Sequence, residues 1–193
     1  GGTTGSAVDT VNKFAFADDG RTTLGTGLSA ATAYLASMSN SGTAGYTAGG
    51  ESGGSRVTTV DKFAFSDDGR STLGTGLSTA TNQLAGMANS GTAGYTVGGR
   101  TDADTQVDTV DKFAFSDDGR TTLSTGLSAA VRLPGAMANS GTAGYVGGGT
   151  GASGVVATVD KFAFSDDGRT TLGTGLSSAR NATTGMANSA ALA

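Results

Sequence analysis

Four pairs of adjacent carboxylates are the most chemically capable groups in the chain. Asp18-Asp19, Asp67-Asp68, Asp117-Asp118 and Asp166-Asp167 recur in one context, a small residue followed by Asp-Asp-Gly-Arg. Two carboxylates side by side can act as acid and base on one substrate, or hold calcium through oxygen. They also read as solvated turns. Four identical copies in a repeating architecture would lie far apart, whereas a catalytic pair must converge on one substrate. The chain has no His and no Cys, which removes imidazole bases, His-dependent triads, thiol nucleophiles and the common zinc sites. The expectation is therefore no catalytic residue, no cofactor and no metal centre. The double glycines suggest a phosphate cradle, but no Lys-Ser/Thr follows them and their context is strand and loop. Asn181-Ala182-Thr183 has the form of a glycosylation acceptor, which matters only in a eukaryotic secretory product. Lys13, Lys62, Lys112 and Lys161 read as exposed strand positions.

The acidic turns sit inside a longer stretch, TVDKFAFSDDGRTTLGTGL, which occurs four times with small changes from near Thr10, Thr59, Thr109 and Thr158. Val60, Lys62 and Ala64 alternate with Asp61, Phe63 and Phe65, the period-2 pattern of a strand, with Phe63 and Phe65 on the more apolar face. Asp-Gly then supplies the positive backbone angles of a hairpin turn. Ser71, Thr72, Leu73 and Thr75 read as the returning strand. Next come SAATAYLASMSN and its counterparts, each with Met at one fixed place: Met38, Met87, Met137 and Met186. Ala and Met favour helices, but the segment is short and interrupted by glycine, so a strand near a crowded axis is expected. SGTAGYTAGG and its counterparts follow, with a turn at Asn-Ser-Gly and a strand around Tyr46, Tyr95 and Tyr145. One repeat is thus four short strands in a period of about 50 residues, the pattern of a β-propeller blade in an all-β fold.

Composition bounds the remainder. A chain of 193 residues is expected to form one domain spanning 1–193. Its 34 glycines have no three-residue period, which excludes collagen, and Phe and Tyr at fixed offsets argue against disorder. Without cysteine, disulfides and thiolate sites are not available and the redox compartment stays open. No apolar run approaches a membrane-spanning length. A net charge of -4 without a basic block argues against nucleic acid. The absence of a signal peptide and of an initiator Met suggests a processed or partial form of a longer product.

Tyr46-x-x-Gly49-Gly50, Tyr95-x-x-Gly98-Gly99 and Tyr145-x-x-Gly148-Gly149, each followed by a variable loop, an aromatic strand and a hairpin, resemble kelch repeats. The resemblance covers nearly the whole chain. It departs at the last strand, where kelch blades usually carry Trp and this chain has Leu24, Leu73, Leu123 and Leu172. SDDGRTT is also similar to the Asp-box of sialidase-like propellers, one residue short and without its aromatic. The chain is similar to divergent kelch-like repeats of surface and phage-tail proteins, which implies a β-propeller. Kelch propellers mostly bind proteins. A few are copper oxidases with His, Tyr and Cys ligands, two of which this chain lacks.

The ends suggest how such a ring closes. The N-terminus supplies only the third and fourth strands of a blade, and the C-terminus stops after a first strand, with Ala190 to Ala193 as a shortened second one. Joining them gives four blades; a fragment of a larger ring and two chains in one eight-bladed ring are the alternatives. The loops at one end of the repeats vary while the turns at the other do not, which places adjustable loops on one rim of a rigid scaffold. The candidate binding residues there are Tyr34, Glu51, Arg56, Asn82, Gln83, Arg100, Asp102, Asp104, Arg132, Arg180 and Asn181, with Arg and Tyr as favoured hot-spot types. Neutral drift of the loops is the competing account. Two functions follow: a non-enzymatic structural repeat in a surface, fibre or tail-like assembly, or a module that binds protein or glycan through this rim. Either places the chain outside the cell, on a cell surface or on a virion.

Overall fold

The computed structural model describes residues 1–186. The expected second strand at 190–193 lies outside them. In chain order the strands are β1 (Gly2–Thr3), β2 (Ala7–Val8), β3 (Asn12–Phe14), β4 (Arg21–Thr23), β5 (Ala36–Asn40), β6 (Ala44–Ala48), β7 (Glu51–Ser52), β8 (Ser55–Arg56), β9 (Val60–Ala64) and β10 (Arg70–Thr72). They continue as β11 (Ala85–Asn89), β12 (Ala93–Val97), β13 (Val110–Ala114), β14 (Arg120–Thr122), β15 (Gly135–Asn139), β16 (Ala143–Gly147), β17 (Thr150–Gly151), β18 (Gly154–Val155), β19 (Val159–Ala163) and β20 (Arg169–Thr171). The fold is all-β, with no helix among the described residues.

Three repeats each build a four-stranded antiparallel sheet, ordered β5-β6-β9-β10, β11-β12-β13-β14 and β15-β16-β19-β20. The first copy contributes only the β3–β4 hairpin. Three of the four Met segments are strands, as expected: Met38, Met87 and Met137 lie at the centres of β5, β11 and β15, opposite Tyr46, Tyr95 and Tyr145, whereas residues 183–186, which end at Met186, form no strand. β11 lies between β5 and β15, so the first strands of successive sheets are neighbours. Small residues make that approach possible, because a Cβ at Gly94 or Gly144 would run into the side chain of Met38 or Met87 of the preceding sheet.

The hydrophobic core sits between the sheets. Met38, Tyr46, Val60, Leu77 and Leu84 of one repeat pack with Phe113 of the next, and Met87, Tyr95, Val97, Val110 and Leu127 pack with Phe162 and Phe164. The Phe-bearing strand is buried on both faces, since Val60 and Asp61 are both buried, and Phe63 and Phe65 do not share one fate: Phe63 is buried and Phe65 is 47% exposed. Phe65 differs from Phe164 because no second strand with a Tyr precedes its sheet among the described residues. The returning strand is also shorter than expected, ending at Thr72, and just beyond it Leu73 donates its amide to the Val60 carbonyl at 2.8 Å and packs its side chain against the core. The opening glycine-rich stretch forms the β1–β2 hairpin, equivalent to β7–β8 and β17–β18 of later copies.

Each acidic turn works differently from a simple Asp-Gly hairpin. The left-handed residue is the second aspartate, with φ of 56° at Asp19 and Asp68 and 57° at Asp118 and Asp167, a conformation that Asp tolerates better than most residues. The glycine is required for space: the Gly69 amide donates to Asp67 Oδ1 at 2.9 Å, and a Cβ there would meet the same oxygen at 2.9 Å.

A buried carboxylate ties each sheet to the connection that enters it. Asp111 Oδ2 accepts from the Ser78 amide at 2.8 Å and the Ser78 hydroxyl at 2.9 Å, while its Oδ1 accepts from the Thr122 hydroxyl at 2.6 Å and faces Arg120 at 3.4 Å. Asp61 and Asp160 repeat this with Ser29, Thr72 and Arg70, and with Ser128, Thr171 and Arg169. A charge so placed stabilises only while all its donors remain.

Two outcomes are expected. Far-UV circular dichroism should show a β spectrum without helical bands. Replacing Asp111 by Ala should cost about 3–5 kcal/mol in urea unfolding, because Arg120 loses its buried counter-charge and Ser78 and Thr122 lose their acceptor; Asp117→Ala, which removes one exposed turn contact, should cost about 1 kcal/mol.

Candidate functional site

The acidic turns and the lysines meet. Lys62 Nζ donates to Asp118 Oδ2 at 2.7 Å, and the Tyr46 hydroxyl donates to Asp118 Oδ1 at 2.9 Å, so one carboxylate in the second sheet receives two donors from the first. Lys112 and Tyr95 hold Asp167 in the same way, at 2.7 Å and 2.8 Å. Lys13 holds Asp68 at 2.9 Å with no tyrosine, because the first copy lacks that strand among the described residues. Phe115 stacks on Tyr46 with ring centroids 5.2 Å apart, and Phe164 on Tyr95 at 5.3 Å. Lys62 and Lys112 also lie over the rings of Tyr46 and Tyr95, with Nζ 5.5 and 5.6 Å from the centroids.

This corrects two sequence expectations. In the second, third and fourth copies the carboxylate of the second aspartate is an anchor between sheets, and only the carboxylate of the first serves the turn. Lys62 and Lys112 are only about a quarter exposed, with side-chain values of 24% and 26%. The reason lies in the stacking of successive sheets, which brings residues 55 or 56 positions apart into contact. The electrostatics follow. The bond to Asp118 raises the Lys62 pKa, and burial, followed by the bond to an aspartate, raises those of Tyr46 and Tyr95. These groups are held in the protonated forms that the joint needs, and none is poised to exchange a proton near neutrality.

The two sets of variable loops do meet on one side of the repeats. Backbone bridges join Ala33 to Glu51, Asn82 to Arg100 and Arg132 to Thr150. Several of their polar side chains, however, are engaged with a neighbouring repeat, and others with their own loop. Asn82 is fully buried and donates to Glu51 Oε2 at 2.9 Å. Arg132 donates to Gln83 Oε1 at 3.1 Å, and Asn181 donates to the Thr150 hydroxyl at 2.7 Å. Arg56 reaches Asp102 at 3.4 Å and Asp104 at 2.9 Å, and Arg100 also meets Asp104, at 3.3 Å. Arg180 donates to the Ser178 hydroxyl of its own loop at 2.6 Å. Tyr34, 54% exposed, contributes its carbonyl to the Gln83 amide at 2.9 Å.

That last bond belongs to a backbone relay. The Leu133 amide donates to Gln83 at 2.7 Å and the Ala182 amide to Leu133 at 3.0 Å. Tyr34, Gln83, Leu133 and Ala182 all have positive φ, from 51° to 57°, so this strained conformation is a property of the repeat and not of one site. Each of the four lies four residues before the repeat's Met, so the repeat marks them as equivalents, but their unlike side chains give no sign of a shared left-handed conformation. The buried Asp61, Asp111 and Asp160 were also missed, although their pairing with a Ser after each Gly-Leu was visible in the repeats.

Small-molecule space is scarce beside the buried aspartates. The cavities beside Asp61, Asp160 and Asp111 have volumes of about 20, 10 and 10 Å³, no more than a water molecule needs. A larger open cleft of about 1180 Å³ runs along the first strands, lined by Phe14, Phe16, Met38, Phe65, Met87 and Met137 among others. No group of three or more carboxylates among the described residues is arranged to hold a metal ion, and no helix there is long and apolar enough to cross a membrane. No family model matches the chain, and no curated protein matches it in sequence.

The raised values have a direct consequence for stability against pH. A phenol whose folded pKa lies above its unfolded value contributes fully below about pH 10 and loses that contribution as pH rises further. Thermal stability should therefore fall steeply above about pH 10. Tyr46→Phe with Tyr95→Phe should lower stability at neutral pH and flatten that alkaline fall, checked by melting curves at a series of pH values.

Proposed function

We propose that the chain is a non-enzymatic structural β-propeller of divergent kelch-like blades, a rigid scaffold in a surface, fibre or tail-like assembly outside the cell. In this reading each four-stranded sheet is a blade, and the β3–β4 hairpin joins the C-terminal strand to make a fourth. The observation that carries the functional reading is the use made of the polar residues. The repeated ones, Lys62, Tyr46 and Asp118 with their equivalents, hold successive sheets together. The variable ones, such as Glu51 with Asn82 and Gln83 with Arg132, differ from junction to junction and match their neighbours. Little chemistry is left for a substrate. Partners are then protein, glycan or other copies of the chain, met by a stiff surface.

A second reading, a protein- or glycan-binding module, rests on Tyr34, which stands 54% exposed among the variable loops, its carbonyl accepting from the Gln83 amide. The two readings separate in one comparison. For the scaffold, Arg56→Ala with Arg132→Ala should lower the melting temperature by several degrees, through loss of about 1–2 kcal/mol of junction contacts, and should leave any pull-down or glycan-array signal unchanged. A signal lost in that variant at unchanged stability would favour the binding module.

A further inference from the structure

The two ends of the sheet series carry opposite halves of the joint that holds the sheets together. On the β3–β4 hairpin, Asp19, Phe14 and Phe16 occupy the places that Asp118, Phe113 and Phe115 hold in the second sheet. Yet Phe14 is 60% and Phe16 100% exposed, while Phe113 is buried. On the third sheet, Tyr145 and Lys161 occupy the places of Tyr46 and Lys62, and among the described residues they do not make the contacts that those two make with Asp118. We infer that the Phe14, Phe16 and Asp19 face of the first hairpin docks on the Tyr145 and Lys161 face of the third sheet of the same chain. Lys161 Nζ and the Tyr145 hydroxyl donate to Asp19, and Phe16 stacks on Tyr145. This rests on the propeller reading and supplies its remaining joint.

Three observations favour the same chain over a second copy. Phe14 and Phe16 line the same cleft as Met137, the cross-strand partner of Tyr145, so the exposed hairpin face and the first strand of the third sheet border one space. The backbone relay from Tyr34 through Gln83 and Leu133 ends at Ala182, and among the described residues the Tyr34 amide has no partner in the series. At Gly94 and Gly144 a Cβ would strike a Met of the preceding sheet, but at the equivalent Gly45 it would meet only Phe65. Met186, exposed in this structure, is the side chain of the right type and repeat position to fill that place.

Because the chain has no cysteine, the contact can be read by cross-linking. Asp19→Cys with Lys161→Cys is the test pair, and Asp118→Cys with Lys62→Cys, across the joint seen at 2.7 Å, is the control. Asp19 and Asp118 share φ values of 56° and 57°, so both pairs carry the same backbone penalty. If Asp19→Cys disturbs its turn, Ala17→Cys takes its place. The full-length variants are treated with a short bismaleimide at low protein concentration and resolved by denaturing gel and mass spectrometry. The expected result is cross-linked monomer within about threefold of the control yield, as two sites held together in one molecule react at high effective concentration. Less than about a tenth of the control yield would overturn the inference and leave the sheet joint standing. Dimers or ladders in the test pair would overturn it in favour of a second copy. A control pair that does not react would remove the joint itself, and with it the propeller reading.

Discussion

One carboxylate with two donors from the neighbouring sheet sets the spacing of this protein. Asp118 can accept from Lys62 and Tyr46 together only if the second sheet lies with its acidic turn over the first, and this places Phe115 on the Tyr46 ring. A four-stranded sheet of short strands cannot bury its own faces, so it needs a partner on each side. The stacked aromatics supply the apolar area, and the charged bonds supply the register. Neither suffices alone: the aromatic contact is tolerant of sliding, while an ion pair a quarter exposed contributes little by itself.

The same constraint explains why the repeats are invariant where they are. The Asp-Asp-Gly turn is kept because it performs two tasks at adjacent residues. The first aspartate closes the turn on the glycine amide, and the second, in a left-handed conformation, points its carboxylate at the preceding sheet. Buried Asp61, Asp111 and Asp160 add a second fixed point, where each connection passes from one sheet to the next. The variable side chains of the loops carry no such shared duty. Their residues change in matched pairs, Glu51 with Asn82 and Gln83 with Arg132, so each junction is satisfied in its own way. The differences between copies thereby distinguish one junction from another, a form of specificity that needs no external ligand.

Legibility in the sequence followed the range of the interaction. The period-2 alternation, the Asn-Ser-Gly and Asp-Asp-Gly turns and the recurring Met positions were enough to identify an all-β chain of four-strand repeats, because strand and turn propensity act between residues close in sequence. The antiparallel pairing of Met38 with Tyr46 and of Tyr46 with Lys62 follows from those turns. Even there only Asp68 of the Asp68-Gly69 pair takes the positive angle expected of the dipeptide, because a glycine can be required for space as well as for backbone freedom.

The roles of the side chains belong to the tertiary structure. Lys62 and Asp118 look like solvated residues when each is judged by its own neighbours, and Glu51 and Asn82 look like free recognition groups. Each acquires a partner only when one sheet is laid on the next, 31 to 56 residues along the chain. Alternation fixes which face of a strand a residue occupies, but not what covers that face, since coverage depends on the distance and twist between sheets. Local pattern therefore determined the strands, the turns and the repeat, while the burial of Asp111, the capture of Asp118 and the engagement of the rim were decided by packing, through contacts that exist only between separate repeats.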